Sequence, residues 1–178
     1  SPTEDGESGR RRLIEAGMQC ARRHGWNDTY TLTKWMGEQV VDQNRDQTPV
    51  VILRPAIIES SYEEPVPGWI DGLRMADPMI IAFGRGKLTD FPADGTASID
   101  VIPVDHVANA MIAALPLPSE NPGLKVYQVG SSARRPMTCG QLIGYLAEGF
   151  RLRPMFDVDG HPIKLAKFRL IGQEEFDR

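Results

Sequence analysis

The chain has 178 residues, with 20 Lys and Arg against 24 Asp and Glu, a formal charge of −4 and a pI near 5.4. That length supports a sizeable core in one domain or a little more, and 41% hydrophobic residues exclude a disordered or fibrous chain. The acidic balance argues against a nucleic-acid binder, which normally shows a basic face, and no apolar run approaches the ~20 residues of a membrane span.

In chain order, Ser1–Gly9 reads as a loose polar end. Ser8 to His24 reads as a helix, with Ser8 as its cap, an imperfect stripe of Leu13, Met18 and Ala21, and Gly25 at its stop. Asn27, Asp28 and Thr29 offer caps for a second helix from Tyr30 to Gln43. Its apolar members, Leu32, Trp35, Met36, Val40 and Val41, step by three and four along one face. Val50–Arg54, closed by Pro55, is a nearly continuous apolar run suited to a strand buried on both faces of a parallel sheet. Ser60–Ser98 reads as irregular, broken by Asp77-Pro78 and Gly84-Arg85-Gly86, with one short helix near Trp69–Met75. Ile99–Val104 is a strand candidate. Asp105 reads as the cap of a helix to about Leu115, stopped by Pro116 and Pro118. Lys125–Val129 reads as another strand, Thr138 as the cap of a helix to about Phe150, and the tail from Arg151 is mixed.

Helices alternating with short buried-type strands place the chain in the α/β class. A doubly wound sheet needs about five strands and a glycine-rich turn opening a helix for dinucleotide phosphates. About three strands are visible, and no Gly-x-Gly-x-x-Gly or Gly-x-x-Gly-x-x-Gly occurs. Cys20 and Cys139 stand in no metal-like spacing, which implies no metal site, no disulfide scaffold and a reducing, cytoplasmic setting. Ser1–Arg12 is polar and charged, unlike a secretory signal.

Tyr30-Thr-Leu-Thr-Lys34 carries the most chemical information. On a helix, residues i and i+4 share a face one turn apart. An ammonium held near a phenol favours the phenolate and draws its pKa down from ~10. Such a phenol gives a proton to a carbonyl oxygen as hydride arrives, or takes it back in reverse. Five residues of this form also arise by chance, as a tyrosine at a helix start and a solvated lysine.

The context of that pentapeptide narrows the choice. Tyr30-Thr-Leu-Thr-Lys34-Trp-Met-Gly-Glu38 is followed by Val50–Arg54 with Pro55, by Pro67-Gly-Trp-Ile-Asp71-Gly, and by Val101-Ile-Pro-Val-Asp105-His-Val-Ala-Asn109. This succession, from about Gly25 to about Leu146, resembles the fatty acyl-CoA reductases, the male-sterility branch of the extended short-chain dehydrogenase/reductases. The resemblance implies a Rossmann-like fold with a small substrate lobe, NADPH as cofactor, a fatty acyl-CoA as substrate, and an aldehyde or alcohol as product. It implies Tyr30 as catalytic acid and Lys34 as the residue that holds the nicotinamide ribose and tunes the tyrosine. Pro55, with the backbone of Ala56 and Ile57, would border the nicotinamide; Pro55 reads equally as a strand terminator. Asp105 is implied to be a structural member of its motif, and His106 reads as a structural histidine. Trp69, Ile70 and Leu73, then Met75, Met79, Ile80 and Phe83, read mostly as lobe core and partly as the wall of an acyl channel. Arg74, Arg85 and Lys87 read as solvated surface or as partners of coenzyme A phosphates.

The family's first strands, glycine-rich turn and catalytic Ser or Thr are not identifiable in Ser1–Asp28. The expected fold is therefore an incomplete one, a C-terminal portion in a single piece. Its parts would be the catalytic helix and following strand over 25–59, a substrate lobe over 60–100, a strand–helix–strand–helix run over 101–150 and a tail over 151–178. Such a piece is expected to be inactive alone, to bind NADPH weakly, and either to self-associate through an exposed edge at Val50–Arg54 or to fold its first helix across it. A thioester reductase acting on carrier-bound acyl chains and a non-catalytic binding domain are the competing readings. Pro67-Gly-Trp-Ile-Asp71-Gly favours the acyl-CoA enzyme over the first; Tyr30 with Lys34 argues against the second, and the missing glycine-rich turn argues for it.

Overall fold

The computed structural model describes residues 4–73, 76–116, 123–172 and 175. In chain order its elements are α1 (Glu4–Arg23), α2 (Thr29–Asn44), β1 (Val50–Pro55), β2 (Ile57–Glu59), α3 (Asp77–Gly84), β3 (Asp90–Pro92), β4 (Ser98–Ile99), β5 (Val101–Pro103), α4 (Val104–Ala114), β6 (Leu124–Val129), β7 (Met137–Thr138), α5 (Cys139–Leu152) and β8 (Arg169–Ile171). The chain divides into two compact units, residues 1–52 with 114–127 and residues 53–113 with 128–178.

The first unit is built on α1 and α2. The start of α1 lies at Glu4, so Ser8 sits inside the helix and does not cap it. Arg22 and Arg23 in the last turn suit the helix dipole. Only part of the expected stripe is used: Ala21 is fully buried, Met18 half-buried and Leu13 exposed. Asp28 caps α2, its Oδ1 accepting from the Thr31 N–H at 2.7 Å. Leu32 is buried, and the Trp35 ring lies 6.1 Å from His24 and 6.2 Å from Trp26, closing the corner between the helices. Farther along, Met36, Val40 and Val41 stay exposed.

The second unit holds three short strand pairs. β2 runs parallel to β5 with Ile57 opposite Val101, β3 runs parallel to β8 with Phe91 opposite Leu170, and β4 runs antiparallel to β7. The expected strand Ile99–Val104 is thus two strands with different partners, broken at Asp100. Two expectations for residues 60–98 are corrected. Trp69–Leu73 is not helical, while Met75 and Arg74 lie outside the described residues. The helix of this region is α3, and Asp77-Pro78 opens it. Proline is well placed at a helix start because its missing N–H is one that would find no partner within the helix. In the tail, β8 supplies a strand that the mixed sequence did not reveal. Thr138 caps α5 as expected, through a capping box with Gln141. The ring of Phe83, on α3, stands edge-on to Phe150 at 6.0 Å and to Phe168 at 5.1 Å, a geometry worth about 1 kcal/mol per pair beyond burial. Gly84 lets α3 come this close, since a Cβ there would lie 2.5 Å from the Phe150 ring.

β1 pairs with β6. At one end the Val50 N–H donates to the Gly123 carbonyl at 3.1 Å, and at the other the Ala56 N–H donates to the Val129 carbonyl at 2.8 Å. Both strands therefore ascend together, in parallel. Val50–Arg54 is not buried on both faces, however: Val50–Leu53 are half-buried, and Arg54 and Pro55 are exposed. Burial of both faces belongs to the interior of a larger parallel sheet, and among the described residues β1 has one strand neighbour.

Candidate active site

The Asp28 cap fixes where α2 begins. Thr31 ties itself to Asp28 a second time, its hydroxyl donating to Oδ1 at 3.0 Å. The start being fixed, Tyr30 and Lys34 fall one turn apart on the same side, with the Lys34 Nζ 5.5 Å from the Tyr30 ring centroid, within cation–π range. Tyr30 is 68% exposed. Among the described residues neither its hydroxyl nor the Lys34 ammonium is tied into a hydrogen bond or ion pair, so both are available to a ligand.

Pro55 and Ile57 lie in the second unit, at a fork. The Ala56 N–H bonds to Val129 on β6, and one residue later the Ile57 N–H bonds to the Asp100 carbonyl at 3.2 Å, beside β5. The chain changes neighbours here, and the N–H groups of both residues are engaged by the fork itself. What this stretch offers a ligand is the exposed Pro55 ring and the Ile57 side chain, 37% exposed.

Two aspartates hold the loops next to the fork. Asp105 lies in the first turn of α4 and does not cap it. Its Oδ1 accepts from the Tyr62 N–H at 2.9 Å, and its Oδ2 from the N–H groups of Glu63 at 2.9 Å and Glu64 at 3.2 Å. These backbone donors, Tyr62 first, hold its carboxyl well below the ordinary range. Asp100 does the same for the turn after β6, accepting from the Ser132 hydroxyl at 2.6 Å and from the hydroxyl and N–H of Ser131. Its carboxyl is lowered as well, by Ser132 first. A Cβ at Gly130 would collide with that carboxylate. The loop held by Asp105 is closed by Ser61, whose hydroxyl donates to the Val66 carbonyl at 2.6 Å and accepts from the Trp69 N–H at 3.1 Å. His106 is exposed, its ring 5.6 Å from Tyr62. Glu59, ending β2, has a buried Oε1 with no partner among the described residues. Burial, and then the charge of Asp77, raise its carboxyl. The residue pattern marked Asp105 as a helix cap and only the resemblance made it a structural member of its motif, while nothing in the sequence marked Asp100 or Ser61.

Parallel strand pairs alternating with helices, with a Tyr–Lys pair at the head of one helix, define an α/β protein of partial Rossmann-like class. An NAD-binding family model described as male sterility protein matches residues 3–111, and the chain belongs to that family. Fatty acyl-CoA reductase 1 of Arabidopsis thaliana is 45% identical over 161 residues, covering 90% of this chain and 33% of that protein. The chloroplastic fatty acyl-CoA reductase 2 of the same plant is 39% identical, covering 90% and 27%. The alcohol-forming fatty acyl-CoA reductase of Simmondsia chinensis is 34% identical, covering 87% and 32%. The chain thus spans about a third of the length of these relatives. A solved UDP-glucose 4-epimerase of Thermotoga maritima overlays with a TM-score of 0.48 at 21% identity, covering 84% of this chain and 46% of that one. Among the described residues no helix is long and apolar enough to cross a membrane.

Proposed function

We propose that this chain supplies the catalytic helix and substrate lobe of an NADPH-dependent fatty acyl-CoA reductase. The single observation that carries the proposal is the Tyr30–Lys34 pair, exposed and together on a capped helix in a chain of the male sterility family. The names of its relatives supply the substrate class. The donor set fits a nicotinamide cofactor, since a free ammonium and a free phenol on one helix face match ribose hydroxyls and a carbonyl oxygen in turn. The cofactor, when bound, supplies hydride. Tyr30 delivers the proton from its Oη to the acyl carbonyl oxygen as that oxygen gains charge. Lys34 donates to the ribose hydroxyls. The Pro55 ring and the Ile57 side chain form the apolar border of the nicotinamide. Loss of coenzyme A as its thiol leaves the aldehyde, and a second reduction gives the alcohol. Both cysteines are free thiols, which supports a reducing, cytosolic setting.

The test is Tyr30→Phe in the intact reductase, assayed by NADPH oxidation with hexadecanoyl-CoA. Turnover should fall ~10²-fold or more, the range for loss of a general acid, with NADPH affinity unchanged because one hydroxyl is removed. Retention of near wild-type turnover would falsify the assignment.

A further inference from the structure

The second unit contains a cavity of about 170 Å³ with a wholly apolar wall. Its wall includes Met79 and Phe83 from α3, Phe91 from β3, Leu142 from α5, Leu170 from β8 and Phe168 just before β8. Of the residues that read as either core or channel in the sequence, Met79, Ile80 and Phe83 line this cavity, and Trp69, Ile70 and Leu73 do not. Phe83 is buried and Met79 exposed, and the space is partly open to solvent. A wall without hydrogen-bonding groups cannot satisfy a nucleotide, a sugar or a peptide backbone, each of which would leave polar groups unpaired. Water gains nothing there either, as apolar cavities of this size stay dry and take apolar ligands.

The volume sets a length. An apolar cavity of about 150 Å³ accepts benzene, so roughly six carbons fit here. The surroundings set the other end of the ligand. Arg85, Lys87 and Lys167 are exposed, lie close in sequence to the wall residues Phe83, Leu88 and Phe168, and are in no ion pair among the described residues. They suit an anionic head outside the cavity.

We infer that this cavity seats roughly the last six carbons of an unbranched acyl chain, with the chain's anionic head among Arg85, Lys87 and Lys167. The site rests on the acyl-CoA reading for its natural ligand, and it makes the second unit a gauge of chain length.

The experiment uses this chain with Cys20→Ser, which leaves Cys139, a wall residue, as the one thiol. Displacement of cis-parinaric acid is followed across saturated fatty acids from butanoate to hexadecanoate. Affinity should rise roughly fourfold per methylene and level off once about six carbons are seated. Hexadecanoate should slow modification of Cys139 by a disulfide reagent. Ala93→Leu and Leu142→Phe, which fill the cavity, should each weaken hexadecanoate about tenfold or more, with a retained or raised melting temperature reporting a folded protein. No parinarate binding by the unsubstituted chain, binding without protection of Cys139, or equal affinity in both filled and folded variants overturns the inference. In the intact reductase, a Cys139 already unreactive and indifferent to acyl-CoA overturns it too, since another part of the protein then occupies the space. These readouts need no turnover. Tail binding with no reduction of any acyl-CoA by the intact reductase would reject the proposed function and leave the cavity assignment standing. Reduction with no tail binding would do the reverse.

Discussion

The head of α2 in the first unit and the head of α4 in the second each carry an aspartate, and the two carboxylates act over different distances. Asp28 accepts from an N–H three residues ahead and decides where its own helix begins. Asp105 accepts from three N–H groups 41 to 43 residues earlier and decides where another loop lies. The first sets a helix face and thereby the Tyr30–Lys34 pair. The second, together with Asp100, holds the loops beside the Pro55–Ile57 fork. A carboxylate at a helix start is therefore a cap in one unit and a long-range tie in the other, although the residue type and the place on the helix nearly match.

That contrast can be broken or sharpened by substitution. The largest effect is expected at the locally determined pair. Lys34→Ala in the intact reductase should lower turnover about 10²-fold and also weaken NADPH binding, measured by fluorescence titration. Tyr30→Phe should leave binding alone. If both variants bind NADPH equally, Lys34 has no role at the ribose.

Next comes a contact that only the tertiary fold creates. Gly84→Ala pushes a methyl group into the Phe150 ring and Met155 and should destabilise the chain by about 1–3 kcal/mol, the usual cost of overpacking. A urea midpoint indistinguishable from wild type would mean that α3 and α5 do not pack as described. A smaller loss is expected from a local device. Thr138→Ala removes the acceptor for the Gln141 N–H and should cost about 1 kcal/mol, read from the same urea transition.

The smallest effect is a pH dependence. Asp105 and Asp100 are held below the ordinary carboxylate value of 3.8 by their donors, the Tyr62 and Glu63 N–H groups first for Asp105 and the Ser132 hydroxyl first for Asp100. A lowered folded pKa means that the ionised form carries the stability. The contribution is complete above 3.8 and is lost as pH falls from there through the lower folded value. Thermal melts should therefore lose stability below about pH 4. Asp105→Asn should be less stable than wild type at neutral pH, with the gap narrowing over that acid range. A gap that stays constant down to pH ~2 would show that the carboxylate charge is not what ties the loop.

Legibility in the sequence followed the range of the forces involved. A cap within Asn27–Thr29, the Tyr30–Lys34 spacing, the Thr138 cap and the strand over Lys125–Val129 rest on hydrogen bonds or periodicities that act within a few residues, and the chain alone determined them; which of the three caps was used, Asp28, came from the structure. It also determined the α/β class and the family. Tertiary structure decided what Asp105, Asp100 and Ser61 hold, since their partners depend on where distant loops pass. It divided Ile99–Val104 between two strand partners, because which neighbour a strand meets is not written in its own residues. It also turned Asp77-Pro78 from an apparent break into the start of α3, and drew apolar residues between 76 and 170 around one cavity. Apolar side chains carry no directional bonds, so their sequence says that they will be covered, and only the folded path says by what.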